Sequence, residues 1–446
     1  MKSLIFNLFL LITVAINAQN ATKTTYEVAE LKTDVEFFFS ELEKVHPNLY
    51  YYYPKDSVLQ AKETIIRQLV APMHRDDFAK LVELNSNRFF DGHTGLKWYF
   101  GWGGTVGLDR ISDTARLFPP KKISVDRGIL YTGEGTHKIL SINGRKADEI
   151  VAIMRNILEA GKHNYIKDCT IEDNFSTYYY LLFGDSKQFK LTIEQDKKIT
   201  QTEWQGVTKK EVYNAITKAT THFDLIIRED IALLTVNTFD GMLLEEFQTF
   251  LDSSIKQIKQ ENVKFLFIDV SENGGGSDEN VSLLLDYLYP ADYYFLYGYA
   301  ETENGTEGGE WERHNEVDSP YLGKLFILQS YKTFSAAMDF SSAIKTSNRG
   351  IVIGEMTADP AYSFSNIKGR NIMPNTGLYF ACASGFYAMP SGSHNCNLGI
   401  LPDVYCHRKD LNAFKKDTNT LFKYFETIIA KYGDRQNAIE ILKIFE

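Results

Sequence analysis

The chain has 446 residues, a formal net charge of −10, and 44% hydrophobic and 24% charged residues. This length predicts two or three domains, and this composition is that of a globular protein with ample material for a large core. The acidic balance, with no long basic cluster, argues against a nucleic-acid partner.

Residues 1–18 have the pattern of a secretory signal peptide. Lys2 gives a basic start, an apolar run extends from Leu4 to Ala18, and the small Ala18 precedes Gln19, which predicts cleavage after Ala18. The run is shorter than the ~20 residues that a spanning helix needs. No later segment is long and apolar enough to span a bilayer, so the mature protein is predicted to be exported, periplasmic or extracellular.

Residues 19–104 are predicted to form a helical N-terminal region, because apolar residues recur at helical spacing in segments 35–45, 56–70 and 75–85. His46 ends the first helix, since a residue before proline disfavours helical geometry.

The segment Asp91-Gly-His-Thr-Gly95 differs from these helices. Gly92 and Gly95 flank His93 in a tight stretch, which favours an accessible imidazole. Taken alone, His93 is also compatible with a structural role.

Residues 105–210 are predicted to form a small β-rich module for peptide binding or packing. The segment 137–150 reads as a strand, an Asn-Gly turn and a helix start, and 189–194 alternates like a half-buried strand.

Residues 211–446 are predicted to form an α/β domain with helices covering a largely parallel sheet. Strands are expected at 231–236, 324–329 and 351–354 and helices at 243–258 and 336–346, while 291–321 reads as a long exposed excursion.

One stretch in this domain resembles a ligand cradle. The apolar run 264–269 predicts a buried strand that opens into Gly274, Gly275 and Gly276, and helical spacing follows from Glu279. Such a turn brings backbone N–H groups to a helix N-terminus, where they can hold an anion or an oxyanion. A phosphate site is disfavoured, because the loop has no lysine and Asp278 and Glu279 adjoin it. An oxyanion hole is therefore the remaining interpretation of this glycine turn.

A nucleophile candidate follows in the next α/β unit. Ser335 lies between the predicted end of a strand and the start of a helix, so its hydroxyl can project while the N–H of Ala336 points the same way. The alternative is that Ser335 only caps the helix.

Together these motifs resemble the C-terminal-processing (tail-specific) serine peptidase family, in particular its tricorn-like (interphotoreceptor retinoid-binding protein-like) branch. The resembling motifs occur in family order and cover nearly the whole mature chain: His46-Pro-Asn-Leu-Tyr50, Asp91-Gly-His-Thr94, Leu140-Ser-Ile-Asn-Gly144, Ile268-Asp-Val-Ser-Glu-Asn-Gly-Gly-Gly276, Thr333-Phe-Ser-Ala336, Ile353-Gly-Glu-Met-Thr357 and Gly399-Ile-Leu-Pro-Asp-Val404.

The resemblance implies a ClpP/crotonase-like catalytic domain, a PDZ-like module at 105–210 and the helical region before it. It implies Ser335 as nucleophile, His93 as general base, and an oxyanion hole from Gly275 and Ala336, with Gly274 helping to shape the turn. The implied substrate is a peptide or unfolded protein, and no cofactor or metal is implied.

Two departures from the family pattern bear on the mechanism. No lysine follows the Gly-Glu-x-Thr motif, which assigns the base to His93. Cys396 stands where the tricorn-like branch has a glutamate that holds the histidine, so either Asp91 or another acid is the orienting group or the dyad is imperfect.

The sequence therefore leaves three interpretations. The first is an exported serine peptidase, the second a peptide-binding protein on the same scaffold with weakened or lost catalysis, and the third a thioester hydrolase of the crotonase type, which export disfavours. The cysteines are too few and scattered for a disulfide scaffold or a zinc site, although one pair is close enough in sequence to bond in an oxidising compartment; they are Cys169, Cys382 and the pair Cys396 and Cys406.

Overall fold

The computed structural model describes residues 23–99, 106–132, 135–216, 221–290, 293–302, 305–313, 317, 319–367, 371–388 and 398–433. The predicted signal peptide lies outside these residues. No helix within them is both long and apolar enough to cross a membrane.

Helices and strands are numbered separately in chain order. The α-helices are α1 (Val28–Val45), α2 (Lys55–Gln68), α3 (Arg75–Ser86), α4 (Val106–Asp109), α5 (Ala147–Asn156), α6 (Asn164–Phe183), α7 (Lys209–Ile216), α8 (Leu244–Gln260), α9 (Asp278–Asp286), α10 (Ala336–Thr346), α11 (Arg408–Phe414) and α12 (Thr418–Tyr432). The strands are β1 (Thr25–Tyr26), β2 (Met73–His74), β3 (Gly95–Leu96), β4 (Ser124–Asp126), β5 (Ile129–Thr132), β6 (His137–Ile142), β7 (Arg145–Lys146), β8 (Gln188–Gln195), β9 (Lys198–Gln205), β10 (Phe223–Arg228), β11 (Ile231–Val236), β12 (Phe265–Asp269), β13 (Tyr293–Thr302), β14 (Gly305–Arg313), β15 (Lys324–Gln329), β16 (Ile351–Gly354), β17 (Tyr362–Ile367), β18 (Asn371–Ile372), β19 (Tyr379–Ala381), β20 (Ala383–Ala388) and β21 (Val404–Tyr405).

The chain folds into two compact units. Unit 1 takes its described residues from Met1–Ala160, Lys167–Lys218 and Phe364–Gly385, and unit 2 takes its own from Gly161–Ile166, Ala219–Ser363 and Phe386–Glu446. The domain boundaries expected from the sequence at 104/105 and 210/211 stay predictions.

Unit 1 combines helices with small antiparallel sheets. Its N-terminal part contains the three predicted helices, α1 to α3, and its main sheet has the order β4-β5-β6-β8-β9. A single apolar core includes Phe38 and Phe78 of the helices together with Ile139 and Phe189 of the sheet. The β-rich module is therefore built on a shared core with the helical region.

Helix α6 is not among the elements that the sequence predicts for the β-rich module. Its 20 residues include Ile171, Phe175, Tyr178, Tyr179 and Leu181, all buried. Apolar and aromatic side chains occur around the whole helix, so the sequence lacks the one-sided helical period that identifies α1 to α3.

Unit 2 is built on a six-stranded sheet with the order β10-β11-β12-β15-β16-β21. Strand β10 is antiparallel to β11, and every other neighbouring pair is parallel. Helices cover both faces, so the predicted α/β fold is confirmed. One face packs on α8, α9 and α10, and the other packs on α11 and α12 through a stack in which Phe267 lies between Phe326 and Phe425.

The expected exposed excursion at 291–321 is wrong in part. Strands β13 and β14 pair as an antiparallel hairpin from Tyr293↔Arg313 to Thr302↔Gly305. The glycine- and glutamate-rich composition of this segment suggests a loop, but the hairpin's ladder hydrogen bonds outweigh the low strand preference of these residues.

Candidate active site

The glycine turn connects β12 to α9 in the way that the sequence predicts. Ser277 caps α9, its Oγ accepting the N–H of Glu279 at 3.2 Å. Gly275 and Gly276 have φ values of 95° and 142°, which side chains rarely adopt, and a Cβ added to Gly276 would lie 2.1 Å from the Phe239 carbonyl oxygen. Gly274 differs, since a Cβ there would meet nothing within 4 Å.

Asn273 holds this turn in place from a fully buried position. Its Oδ1 accepts the N–H of Gly275 at 2.8 Å, and its Nδ2 donates to the carbonyl of Val236 at 3.1 Å. Its own carbonyl accepts the N–H of Phe334 at 3.2 Å. One residue therefore fixes the glycine turn against β11 and against the turn that carries the candidate nucleophile.

Ser335 is the last residue of the turn between β15 and α10. Its backbone has φ 51° and ψ −130°, a sparsely populated conformation for a residue with a side chain, and such strain costs roughly 1–3 kcal/mol. Although Ser335 occupies the N-cap position, its side chain makes no capping hydrogen bond, which disfavours the helix-cap interpretation. A strained strand-to-helix turn is the geometry that presents a nucleophilic serine hydroxyl.

The two turns are bonded to each other. Ser330 Oγ donates to the carbonyl of Ser271 at 2.5 Å, and Thr333 Oγ1 donates to the carbonyl of Val270 at 2.9 Å. A Cβ added to Gly275 would lie 2.7 Å from Ser335 Cβ, so glycine is required by close approach as well as by φ. The predicted nucleophile and glycine turn are thus brought together.

The backbone N–H groups of the predicted oxyanion hole are not equivalent. The N–H of Ala336, at the start of α10, and the N–H of Gly274 have no acceptor within the described ranges, whereas the N–H of Gly275 is engaged by Asn273. An added Gly275 Cβ would be 3.1 Å from Ala336 N, so the backbone of Gly275 lies next to the start of α10.

A lysine supports the end of β12. Lys415 forms an ion pair with Asp269 and donates from Nζ to Ser271 Oγ at 2.6 Å. Asp269 Oδ1 also accepts the N–H of Ser271 at 3.0 Å. These contacts fix the residue from which the glycine turn starts.

The His93 loop belongs to unit 1. Asp91 Oδ1 accepts the backbone N–H of His93 at 2.8 Å, and Asp91 Oδ2 is 2.9 Å from Nε2 of His46. The Thr94 N–H donates to the Asp91 carbonyl at 3.2 Å and completes the turn. Asp91 therefore orients the His93 loop through the main chain, and it also binds a second histidine.

The expectation of an accessible imidazole at His93 is wrong. His93 is only 5% exposed, and its Nε2 lies 3.4 Å from Ser365 Oγ. The following residue, Thr94, accepts the N–H of Ala383 at 3.1 Å through its Oγ1, so both Ser365 and Ala383 contact this loop. Gly92 and Gly95 therefore allow a tight turn and do not expose the imidazole to solvent.

The electrostatics of Asp91 favour its charged form. Burial opposes ionisation, but the hydrogen bond and charge of His46, together with the charge and N–H of His93, hold the pKa of Asp91 below its ordinary value. The same carboxylate, with burial as the larger cause, raises the pKa of the neighbouring Cys382 thiol, which keeps that thiol protonated.

Comparison with known proteins identifies the domain that carries Ser335. Residues 230–406 match the model of Peptidase family S41. The chain carries a peptidase family S41 domain. The predicted family and the predicted enzyme class, a serine peptidase acting on peptides or proteins, are confirmed, whereas the tricorn-like branch stays a prediction.

Solved structures share the fold of this S41 peptidase over most of its length. A CPAF mutant is 11% identical with a TM-score of 0.61, covering 93% of this chain and 99% of its own. Mature CPAF complexed with lactacystin is 12% identical with a TM-score of 0.56, covering 85% and 94%, and mature CPAF alone has a TM-score of 0.55 at 12% identity, covering 85% and 92%. At these identities the likeness concerns the fold.

Several residues of the candidate site are missed by reasoning from the sequence. His46 occurs in a motif of the family resemblance but reads as structural, and its partnership with Asp91 is a contact across 45 positions. Asn273 precedes the glycines and has a local signal, whereas nothing in the sequence points to Ser365 or Lys415.

The sequence also raises the questions of a bond between Cys396 and Cys406 and of a metal site. Cys396, at the family's glutamate position, lies outside the described residues, and Cys406 is a buried free thiol. Within the described residues no group of three or more His, Cys, Asp or Glu side chains is arranged to hold a metal ion.

Proposed function

We propose that the protein is an exported serine peptidase that hydrolyses peptides or unfolded protein through an acyl-enzyme on Ser335, with His93 as general base. The family match and the strained backbone of Ser335 beside Gly275 support this assignment.

In the proposed reaction His93 takes the proton of the Ser335 hydroxyl as Oγ attacks the substrate carbonyl. Serine needs such a base, because its hydroxyl is a poor nucleophile at neutral pH. His93 then gives the proton to the leaving amine, and a water molecule activated by the same imidazole releases the acyl group. The pairing of His93 with Ser335 is assigned on the family resemblance.

We assign two N–H groups as the donors that stabilise the negative charge on the carbonyl oxygen. They belong to Gly275 and Ala336, with Gly274 beside them. Fixed N–H donors aimed at the developing charge contribute strongly to such reactions. The bond between Gly275 N–H and Asn273 Oδ1 implies that this donor is shared with, or exchanged for, the substrate oxygen.

Asp91 is assigned as the residue that orients His93. Its bond to the His93 N–H and its lowered pKa support a carboxylate that is charged at neutral pH at this position. The module at 105–210 is assigned as PDZ-like and peptide-binding, and the signal at 1–18 supports export.

The observation that carries the proposal is the conformation of Ser335, and a fluorophosphonate probe tests it. The mature chain from Gln19 should take up label, Ser335→Ala should not, and Ser253→Ala, an exposed serine on α8, should label like the wild type. Equal labelling of the wild type and Ser335→Ala would remove Ser335 as the nucleophile.

The second candidate is a peptide-binding protein on the same scaffold. Cys396 in place of the family glutamate and the engaged N–H of Gly275 favour it. Peptide binding that is the same in Ser335→Ala, with no cleavage product in mass spectrometry, would select this candidate.

A further inference from the structure

His46 is a buried histidine at the end of α1, and the proposed mechanism gives it no part. Because Pro47 follows it, His46 leaves helical geometry, with φ −70° and ψ 128°. Its N–H still donates to the Leu42 carbonyl at 3.0 Å, and its side chain is only 2% exposed. The end of α1 therefore supplies a fixed imidazole to the interior of unit 1.

A first series of contacts joins His46 to the main chain of the proposed base. Nε2 of His46 is 2.9 Å from Asp91 Oδ2, and Asp91 Oδ1 accepts the backbone N–H of His93 at 2.8 Å. Asp91 is itself buried. One carboxylate, with one oxygen for each partner, thus links His46 to the His93 loop.

The other ring nitrogen of His46 determines the direction of this hydrogen bond. The N–H of Asn48 donates to Nδ1 at 3.1 Å, so Nδ1 carries no proton and the ring proton is on Nε2. Nε2 is therefore the donor to Asp91, and a hydrogen bond to a charged carboxylate is roughly twice as strong as one between neutral groups. Although burial acts against it, this bond helps to hold the pKa of Asp91 below its ordinary value.

A second series of contacts leads from His46 to the His93 side chain. The His46 ring packs on Phe364, with 4.5 Å between the ring centroids, and Phe364 is fully buried. The next residue on β17, Ser365, has its Oγ 3.4 Å from His93 Nε2. Because Phe364 and Ser365 are neighbours on one strand, fixing the first restricts the second.

We propose that His46 is a positioning residue for His93 and holds it from two sides. Through Asp91 it fixes the His93 main chain, and through Phe364 and Ser365 it fixes the place of the His93 imidazole. The inference rests on the proposed function, because it matters for the reaction only if His93 is the general base. Displacing a catalytic group by about 1 Å can cost about 10²-fold in rate, so the two contacts serve catalysis as well as stability.

Two substitutions separate the hydrogen bond of His46 from its ring contact. His46→Phe keeps a ring against Phe364 and loses the donor to Asp91, whereas His46→Gln keeps a side-chain N–H donor and loses the ring. His46→Phe should lower kcat by about 10–100-fold with KM within about twofold, because a misplaced base slows the chemistry and not substrate binding. His46→Gln should give an intermediate kcat.

The rates are divided by the concentration of Ser335 sites that a fluorophosphonate probe finally labels, so that a loss of folded protein does not count as a loss of kcat. Wild-type kcat in His46→Phe, or equal losses in His46→Phe and His46→Gln, would overturn the proposal.

His74 is a matched control in unit 1. Its Nδ1 also accepts the backbone N–H two residues further on, that of Asp76 at 3.2 Å, but its side chain is 45% exposed. His74→Phe should therefore keep the kcat and KM of the wild type. Equal losses of kcat in His74→Phe and His46→Phe would assign the effect to the lost local turn and overturn the proposal.

A double-mutant cycle tests whether His46 acts through Asp91. Substitutions within one hydrogen-bond network have effects that do not add. The kcat of His46→Phe combined with Asp91→Asn should therefore be close to that of Asp91→Asn alone. A double variant whose loss is the product of the two single losses would overturn the proposal.

Nuclear magnetic resonance of the imidazoles tests the arrangement without requiring catalysis. With isotope-labelled histidine in mildly alkaline buffer, the resonances that His46→Gln removes should report a proton on Nε2 and none on Nδ1. The His93 resonances should shift in His46→Phe and should not shift in His74→Phe. The opposite tautomer of His46, or His93 resonances that are unchanged in His46→Phe, would contradict the proposal.

These measurements distinguish a failure of the proposed function from a failure of this inference. If the resonances behave as expected but no Ser335-dependent labelling or hydrolysis is found, the proposed function fails and the positioning of His93 by His46 stands. If hydrolysis depends on Ser335 and His93 but kcat is unchanged in His46→Phe, the positioning role fails alone.

Discussion

The serine-bearing turns of unit 2 and the histidine loop of unit 1 are organised by different means. Around Ser335 the backbone itself is constrained, by a positive φ, by Gly275 approaching within a distance that excludes a Cβ, and by hydrogen bonds between two turns. Around His93 the constraint is the buried carboxylate of Asp91, which binds the imidazole of His46 and the main-chain N–H of His93. The turns around Ser335 should therefore be sensitive to added side-chain atoms, and the loop around His93 should be sensitive to charge and pH.

The largest expected effect is the loss of the nucleophile. Ser335→Ala should reduce kcat/KM by at least about 10⁴-fold, because no other group replaces the attacking oxygen. Its melting temperature should change little, since the substitution removes one hydroxyl and keeps the Cβ. Peptide hydrolysis and thermal melting check the two parts, and activity within tenfold of the wild type would contradict the assignment.

The next effect is the loss of the base. His93→Gln should lower kcat by about 10²–10⁴-fold, the usual contribution of general base catalysis. His74→Gln, an exposed histidine in unit 1, is the matched control and should behave like the wild type. A similar kcat for His93→Gln and the control would assign the base elsewhere.

A matched pair of glycine substitutions tests the role of the backbone in unit 2. Gly275→Ala should lower kcat/KM by roughly 10²–10³-fold, the effect of losing one oxyanion donor, since its Cβ would meet Ser335 Cβ at 2.7 Å. Gly274→Ala keeps the N–H and meets open space, so its effect should be far smaller. Equal losses in the two variants would show that close approach does not govern this turn.

The charge dependence of unit 1 is tested by Asp91→Asn. Because the folded-state pKa of Asp91 is lowered, its stabilising contribution is full above the ordinary value of 3.8 and is lost as the pH falls through the folded value. The variant should be less stable by about 1–3 kcal/mol at pH 7, and the difference should narrow below about pH 4. Denaturant unfolding at both pH values measures this, with the exposed Asp56→Asn as control. A difference that does not depend on pH would contradict the charge-based account.

The last expected effect concerns the bonds between the two turns. Thr333→Val keeps the side-chain shape but loses the bond to the Val270 carbonyl and the one accepted from the Ser330 N–H, at 2.9 and 3.0 Å. It should cost roughly 1–3 kcal/mol in the free energy of unfolding. Thr346→Val, at the end of α10, should cost much less, and equal costs would show that the bond between the turns adds no stability.

The elements near Ser335 are predictable because their signals are local. A short apolar run, three glycines and a helical period define β12, the turn and α9, and Ser335 precedes a helix that begins at Ala336 as expected. The same holds for α1 to α3, whose apolar residues recur on one face.

The remaining features depend on contacts between distant positions. Asn273 binds a carbonyl 37 positions away, and Ser365 is 272 positions from His93. Helix α6 is not predicted because its apolar residues occur on all of its sides. The hairpin of β13 and β14 is not predicted because its composition favours loops. The burial of His93 has no sequence signal either.

The central claim is that Ser335 forms the covalent intermediate, and the mass of the modified tryptic peptide tests it most directly. After reaction with a fluorophosphonate probe, the peptide 333–345 should carry the adduct, and fragmentation should place it on Ser335 rather than on Ser341 or Ser342. The adduct should be absent from Ser335→Ala and strongly reduced in His93→Gln. An adduct on another residue, or one formed equally in Ser335→Ala, would contradict the account.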